Sequence, residues 1–294
     1  MEENVTFQSD GLTLTGVVHI PDDIRPGERR PTVMVLHGFG SKKESNNCTG
    51  PCKMLTDWGY TAMRFDFRGC GESEGEYGRL ICMEQVSDTS NALTYLQSRS
   101  DVDPHRIAAL GSSFGAAVAV YTGGVDKRVA AVISSGGWGD GERKFRNQHV
   151  GEKKWNKFMN LLETNRKEKE ASGKSPMFSR WDIVPIPEHL RGNLAANSHM
   201  EFPGDTAQSM YDFVADNVVG DISPRPLLLL HSSVDSVTPT EQSVEMFKRA
   251  GQPTDLHLSA DTDHFMFAED NVRVISILKD WLDKFFPAKV AVDA

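Results

Sequence analysis

Residues 110–116 read LGSSFGA. They separate an apolar run, Arg106–Leu110 (RIAAL), from a run of small residues, Ala116–Val120 (AAVAV). That succession predicts a strand, a tight turn and a helix. Within the turn, Gly111, Ser113 and Gly115 fit G-x-S-x-G, the bend that holds a nucleophilic hydroxyl above a sheet. So sharp a bend strains the backbone of its central residue and leaves no room for side chains on either flank. The N-terminus of the following helix then stabilises negative charge at the hydroxyl. Ser112, at the variable position, should point elsewhere. Glycine and serine also make ordinary turns, so the surrounding chain has to decide between turn and nucleophile.

Outward from this point the chain repeats one kind of segment. TVMVLHG (32–38), YTAMRFDF (60–67), VAAVIS (129–134), PLLLLHS (226–232) and TDLHLS (254–259) are short, nearly continuous apolar runs, as expected of strands buried on both faces. Helical patterns lie between them: 83–98, Phe114–Tyr121, 239–251 with its glycine stop, and 271–286. Strands alternating with helices predict an α/β fold with a mostly parallel sheet. Residues 4–20 instead alternate around a Ser-Asp-Gly turn, which predicts a two-stranded antiparallel start. From Trp138 to Val219 the rhythm breaks into charged and Pro-punctuated sequence without a convincing buried strand. Trp155, Phe158, Met159 and Leu162 recur there at helical spacing, an apolar stripe that packs on the main domain. The organisation read from this is a core of 1–137 and 220–294 interrupted by an inserted lid, 138–219.

Bulk properties exclude several functions. A chain of 294 residues can bury a large core. A net charge of −9 argues against nucleic acid as a partner. No apolar run reaches the length of a membrane span, and the first ten residues lack the basic start and apolar core of a secretory signal; a cytoplasmic location is expected. Cys48, Cys52, Cys70 and Cys82 form no C-x-x-C pair, so free thiols are expected and no metal is called for.

A serine hydroxyl needs a base, and the base needs an acid behind it. With this elbow the chain order is Ser, then Asp or Glu, then His. Asp235 follows the strand at 226–232, and His264 lies in the loop before the last helix. Both fall at carboxyl ends of strands, where open α/β sheets place their ligands. Asp261 and Asp263 are too near His264 in the chain to reach behind its ring easily. His231 and His257 lie within strands and read as structural. Asp66 reads as the organiser of the turn RGCGES that follows it, and His37 as a buttress of its loop. The backbone N–H of Phe39, in LHGFG, and that of Phe114, after the nucleophile, are the candidate oxyanion donors.

With these pieces in order, the sequence resembles the serine esterases of the α/β-hydrolase superfamily, from HGFG to His264 and the last helix. MRFDFRGCGESEG matches the D-x-R-G-x-G-x-S turn of many such enzymes. HGFGSKKE and DFRGCGESEG are similar to the feruloyl-esterase and the bacterial acylaminoacyl-peptidase-like or dienelactone-hydrolase-like branches. The resemblance implies the α/β-hydrolase fold: an eight-stranded sheet with helices on both faces, an antiparallel edge formed by the first two strands, and a helical lid after the sixth strand. Serine at position 113 disfavours relatives that use Asp or Cys at the elbow.

The expected activity is carboxylic ester hydrolysis through an acyl-enzyme, with no cofactor, on a small-molecule ester. Amide or peptide hydrolysis by the same triad is the rival; an aminopeptidase-like enzyme calls for a buried acidic pair in the lid to hold the substrate ammonium, for which Glu152, Glu163 and Glu201 are available. A non-catalytic receptor on this fold is the third reading. Trp138, Trp155 and Trp181, with Phe178 and Met177, are candidate walls of an apolar pocket, although packing explains them as well. Arg143, Lys144 and Arg146 could attract an anion, with solvated surface the simpler reading. Exposed apolar stripes on the lid would offer a homodimer contact.

Overall fold

The computed structural model describes residues 1–267 and 271–289. Strands β1 (Glu2–Ser9) and β2 (Leu12–His19) form a hairpin. Its turn residues Asp10 and Gly11 both have positive φ, 49° and 84°, the geometry that matches strand twist in two-residue hairpins. There follow β3 (Arg30–Leu36), α1 (Asn46–Asp57), β4 (Thr61–Phe65), α2 (Cys82–Gln97), β5 (Val102–Ser112), α3 (Phe114–Val125) and β6 (Val129–Ser135). The chain then leaves the main sheet for α4 (Gly141–Gln148), α5 (Glu152–Ser172), β7 (Met177–Ser179), α6 (Arg180–Ile183), β8 (Glu201–Pro203) and α7 (Gly204–Asp212). It returns through β9 (Leu227–Ser232), α8 (Glu241–Arg249), β10 (Thr254–Ser259) and α9 (Val272–Phe285).

The main sheet has eight strands in the order β1-β2-β4-β3-β5-β6-β9-β10. Only the β1–β2 and β2–β4 pairings are antiparallel. The continuous apolar runs are explained by burial on both faces. Val33, Val35, Leu228 and Leu230 point into one core, with α1 and α9. Met34, Leu36, Leu227 and Leu229 point into the other, with α2 and α3. Successive side chains alternate across the sheet, so each run must be apolar throughout. Arg68 anchors the hairpin to this body by donating to buried Asp88, which also accepts from Ser9 Oγ at 2.6 Å.

The strand order reverses beside β3. From β3 the chain moves outward to β4, then crosses back to β5 on the other flank. The loop after β3 leads to α1 on one face, and the loop after β5 leads to α3 on the opposite face. Their divergence opens a crevice at the carboxyl edge of the sheet, the expected ligand position.

The sequence missed two features. Helix α1 runs through NNCTGPCKMLTD, a poor helix former that contains Gly50 and Pro51; it is held by burial of Cys48, Cys52 and Leu55. The 138–219 segment, expected to lack a convincing buried strand, contributes two short strands, β7, which is not buried, and β8, which is partly buried, three residues each and paired outside the main sheet. All four cysteines are buried free thiols. No helix among the described residues is long and apolar enough to cross a membrane.

Candidate active site

Ser113 sits between the last residue of β5 and the first of α3 with φ 55° and ψ −113°. A non-glycine residue in this region stores roughly 1–3 kcal/mol of strain. The flanking glycines are required by contact: a Cβ on Gly111 would lie 2.1 Å from Gly115 O, and one on Gly115 would lie 2.4 Å from Leu36 O. The Ser113 amide donates to Ser135 O at 2.8 Å, tying the bend to β6.

Ser113 Oγ lies 2.8 Å from His264 Nε2, and His264 Nδ1 lies 2.8 Å from Asp235 Oδ2. With the neutral ring assigned from this network, Nδ1 carries the proton and Nε2 is free to accept from the serine. Asp235 Oδ1 accepts from the amides of Val237 and Thr238 at 2.8 and 2.7 Å. Burial would raise the Asp235 pKa, but the charge of the imidazolium that His264 forms on protonation and the hydrogen bonds from His231 and His264 outweigh it. They hold the carboxyl well below the usual carboxylate range. At neutral pH Asp235 is therefore an anion that fixes the ring and stabilises its charged form.

Two further residues complete this arrangement. His231, read from the sequence as a hydrogen-bonded core residue, accepts from Ser243 Oγ at Nδ1 (2.6 Å). Its Nε2–H faces both Thr238 O (3.0 Å) and Asp235 Oδ2 (3.2 Å), so it also supports the carboxylate. Asp263 joins the loops after β9 and β10: it accepts from the Ser236 amide (2.9 Å), Ser236 Oγ (2.8 Å) and the His264 amide (2.8 Å). The sequence showed that Asp263 does not stand behind the ring; nothing in it showed that Asp263 joins the two loops.

Phe39 follows the turn after β3. Among the described residues neither its amide nor that of Phe114 has a hydrogen-bond acceptor. His37 donates to Gly38 O at 2.9 Å and accepts from the Phe67 amide at 3.2 Å, and burial lowers its pKa. It is a neutral buttress. Asp66 accepts from the amides of Lys43 (2.7 Å) and Glu72 (3.0 Å), and from Lys43 Nζ (2.8 Å), organising the loops on both sides.

A predominantly apolar cavity opens at Ser113 and His264. Val184, Ile186, Leu194, Val237 and Phe265 form its apolar wall; Ser41, Asn47 and Arg180 stand among its polar groups. Ser112, expected to point elsewhere, also lines this cavity. The three tryptophans do not. Trp138 is buried between Phe114 and Phe213, Trp155 packs on Phe158 under Arg146, and Trp181 lies under Arg191. Packing on neighbouring side chains takes up their rings, that of Trp138 partly against α3. Among the basic residues noted in the sequence, Arg143 pairs with Asp216 at 2.8 Å and Arg146 with Glu142 at 3.0 Å. Lys144 is not solvated but 2% exposed, with Gln148 Oε1 at 3.0 Å and the Phe145 ring beneath it. None of these, nor Glu152, Glu163 or Glu201, lines the cavity.

A sheet of this order, with a strained serine at the crevice and the hydrogen-bonded Ser113–His264–Asp235 row beside it, defines an α/β-hydrolase. The chain belongs to the family described as serine aminopeptidase, S33, whose sequence model matches residues 27–271. Among curated relatives, the polyketide transferase grgF of a Penicillium species is 26% identical over 290 residues, covering 93% of this chain and 92% of that one. The crystal structure of the α/β hydrolase GrgF from Penicillium sp. sh18 superposes with a TM-score of 0.79 at 22% identity, over 97% and 99% of the two chains. Est1E of Butyrivibrio proteoclasticus, solved with ferulic acid bound, gives 0.68 at 16% identity, over 96% and 98%.

Proposed function

We propose that the protein is a serine hydrolase that cleaves carboxylic esters through an acyl-enzyme. The observation that carries this reading is the unbroken row of two 2.8 Å contacts from Ser113 through His264 to Asp235, begun on a strained elbow. Ser113 Oγ attacks the ester carbonyl carbon as its proton passes to His264 Nε2. Asp235 keeps the Nδ1 proton in place and offsets the imidazolium charge. The Phe39 and Phe114 amides donate to the oxyanion. Collapse of the tetrahedral intermediate expels the alcohol, which takes the proton from Nε2. Water then attacks the acyl-enzyme with Nε2 as base, the acid leaves, and Ser113 regains its proton. The 138–219 segment acts as a lid over this crevice; the Arg180 guanidinium bonded to Phe39 O at 2.5 Å and the His199 amide bonded to Gly40 O at 3.0 Å support that role.

The family name carries a peptidase activity. An aminopeptidase needs a carboxylate for the substrate ammonium, and among the described residues none lines the cavity, whereas a guanidinium does. Acyl transfer to an alcohol differs from hydrolysis only in what attacks the acyl-enzyme, and the likeness to a polyketide transferase favours testing it. A fluorophosphonate is expected to label Ser113, and Ser113→Ala to lower p-nitrophenyl ester turnover by at least about 1,000-fold. Products analysed with and without an added alcohol separate hydrolysis from transfer. An unlabelled protein, or near-normal turnover by the alanine variant, would overturn the assignment and favour a receptor.

A further inference from the structure

Arg180 is the residue of the site that the reaction above does not explain. It opens α6, is 2% exposed, and lines the cavity that contains Ser113 and His264. Among the described residues it pairs with no carboxylate; its partners are the carbonyls of His199 (2.9 Å) and Phe39 (2.5 Å). Its guanidinium sits over the rings of Phe39 and Phe202 at 5.1 and 5.9 Å. Two carbonyls cannot neutralise a buried cation, and Nε has no hydrogen-bond partner. Burial lowers its pKa to about 10, so it remains charged at neutral pH.

The composition of the wall sharpens the point. Among the described residues that line the cavity Arg180 is the only permanently charged side chain, and Ser41, Ser45, Asn47, Ser112 and Asn193 are neutral polar groups. Asn47 Oδ1 is also buried without a partner. Buried charges are normally paired, and an uncompensated one inside a binding cavity favours a ligand that brings the opposite sign. Guanidinium geometry suits a carboxylate in particular, through paired N–H donors. The carbonyls of Phe39 and His199 hold the group in place before any ligand arrives, which lowers the cost of ordering it on binding.

We propose that the cavity selects esters that carry a second, free carboxylate, and that Arg180 binds that carboxylate while Ser113 attacks the ester carbonyl. The proposal rests on the esterase reading above and names its substrate class. The apolar wall of Val184, Ile186, Leu194 and Phe265 would then enclose the carbon skeleton between the two ends.

Paired substrates test it. In one arm the charge is on the acyl half: the mono-p-nitrophenyl ester of adipic acid against the corresponding neutral adipamide ester. In the other it is on the alcohol half: 4-acetoxybenzoate against 4-acetoxybenzamide. A charge-assisted hydrogen bond in a dry site corresponds to a preference of about 10- to 100-fold in kcat/KM, expected in one arm and absent in the other. Arg180→Met should abolish that preference, chiefly through KM for the carboxylate ester, and Arg180→Lys should restore part of it. Loss of the Phe39 contact lowers both members of a pair together, so the ratio separates recognition from support of the loop. If the variants fail to fold, wild-type discrimination still decides, together with inhibition by adipate or 4-hydroxybenzoate against their amides. Equal or better turnover of the neutral member in both arms, or a preference that survives Arg180→Met, overturns the proposal. Should no ester be turned over, calorimetric binding of the same pairs to Ser113→Ala protein judges the subsite apart from the reaction.

Discussion

Replacing Asp235 by Asn tests the electrostatics of the site at constant volume. The Oδ1 atom accepts from the amides of Val237 and Thr238, so the amide oxygen of Asn must take that position. The new NH2 then falls where Oδ2 faced His264 Nδ1 at 2.8 Å and His231 Nε2 at 3.2 Å. Donor would oppose donor, and His264 relieves the clash by moving its proton to Nε2. That atom lies 2.8 Å from Ser113 Oγ and, once protonated, cannot take the serine proton. The lost attraction between carboxylate and imidazolium is about 4 kcal/mol at an effective dielectric near 20, or about three decades of rate at 1.36 kcal/mol each. Tautomer reversal adds to it, so kcat should fall by about 1,000- to 10,000-fold with little change in KM. The assay is steady-state hydrolysis of a p-nitrophenyl ester, with thermal unfolding to establish that the variant is folded. A folded Asp235→Asn protein within tenfold of wild-type kcat would refute the role given to this carboxylate.

Asp263→Ala removes two hydrogen bonds between the loops that carry Asp235 and His264, and a third, to the His264 amide, within the second loop; we expect kcat to drop at least about tenfold, together with slower fluorophosphonate labelling, and unchanged labelling would show that the loops hold without it. Lys144 gives a stability prediction. Burial lowers its pKa from 10.5 to about 7, so between those values the unfolded chain binds a proton that the folded chain does not. Its contribution to stability is complete above the unfolded value, falls as pH drops toward the folded value, and changes no further below it, with a slope of at most about 1.36 kcal/mol per pH unit. Urea unfolding at pH 7 and pH 9 should therefore show wild type gaining stability relative to pH 7, and Lys144→Met showing a smaller gain; equal slopes would place the ammonium in water.

Which parts of this protein were legible in its sequence follows from how each is held. β3 and β9 were readable because burial on both faces makes residues 33–36 and 227–230 apolar without a break. α1 was not, because Gly50 and Pro51 break its local preference and the stabilisation comes from Cys48, Cys52 and Leu55 against a sheet distant in the chain. β7 and β8 are too short for a period of two to register. The same division runs through the buried cations: Lys144 and Arg180 lie among many charged residues, and no local pattern separates a lysine in solvent from one over the Phe145 ring.

The site divides along the same line. Parallel strands deliver all their carboxyl ends to one edge, so the loops after β3, β5, β9 and β10 converge whatever their separation in the chain. That is why residues 113, 235 and 264, expected from order and loop position to meet, lie in one hydrogen-bonded row. Arg180, Val184, Ile186, Asn193 and Leu194 of the cavity come from the segment between β6 and β9, whose path is not set by the sheet. Its tryptophans looked like pocket walls because they are large and apolar, yet those properties also let them pack on neighbouring side chains away from the cavity. Arg180 reaches the cavity only because β7 pairs with β8 and its guanidinium reaches the Phe39 carbonyl. A reaction fixed by sheet geometry can therefore persist while the preference for a substrate changes with single residues of the inserted segment. For this chain, the discrimination ratio of Arg180 variants measures the second independently of the first.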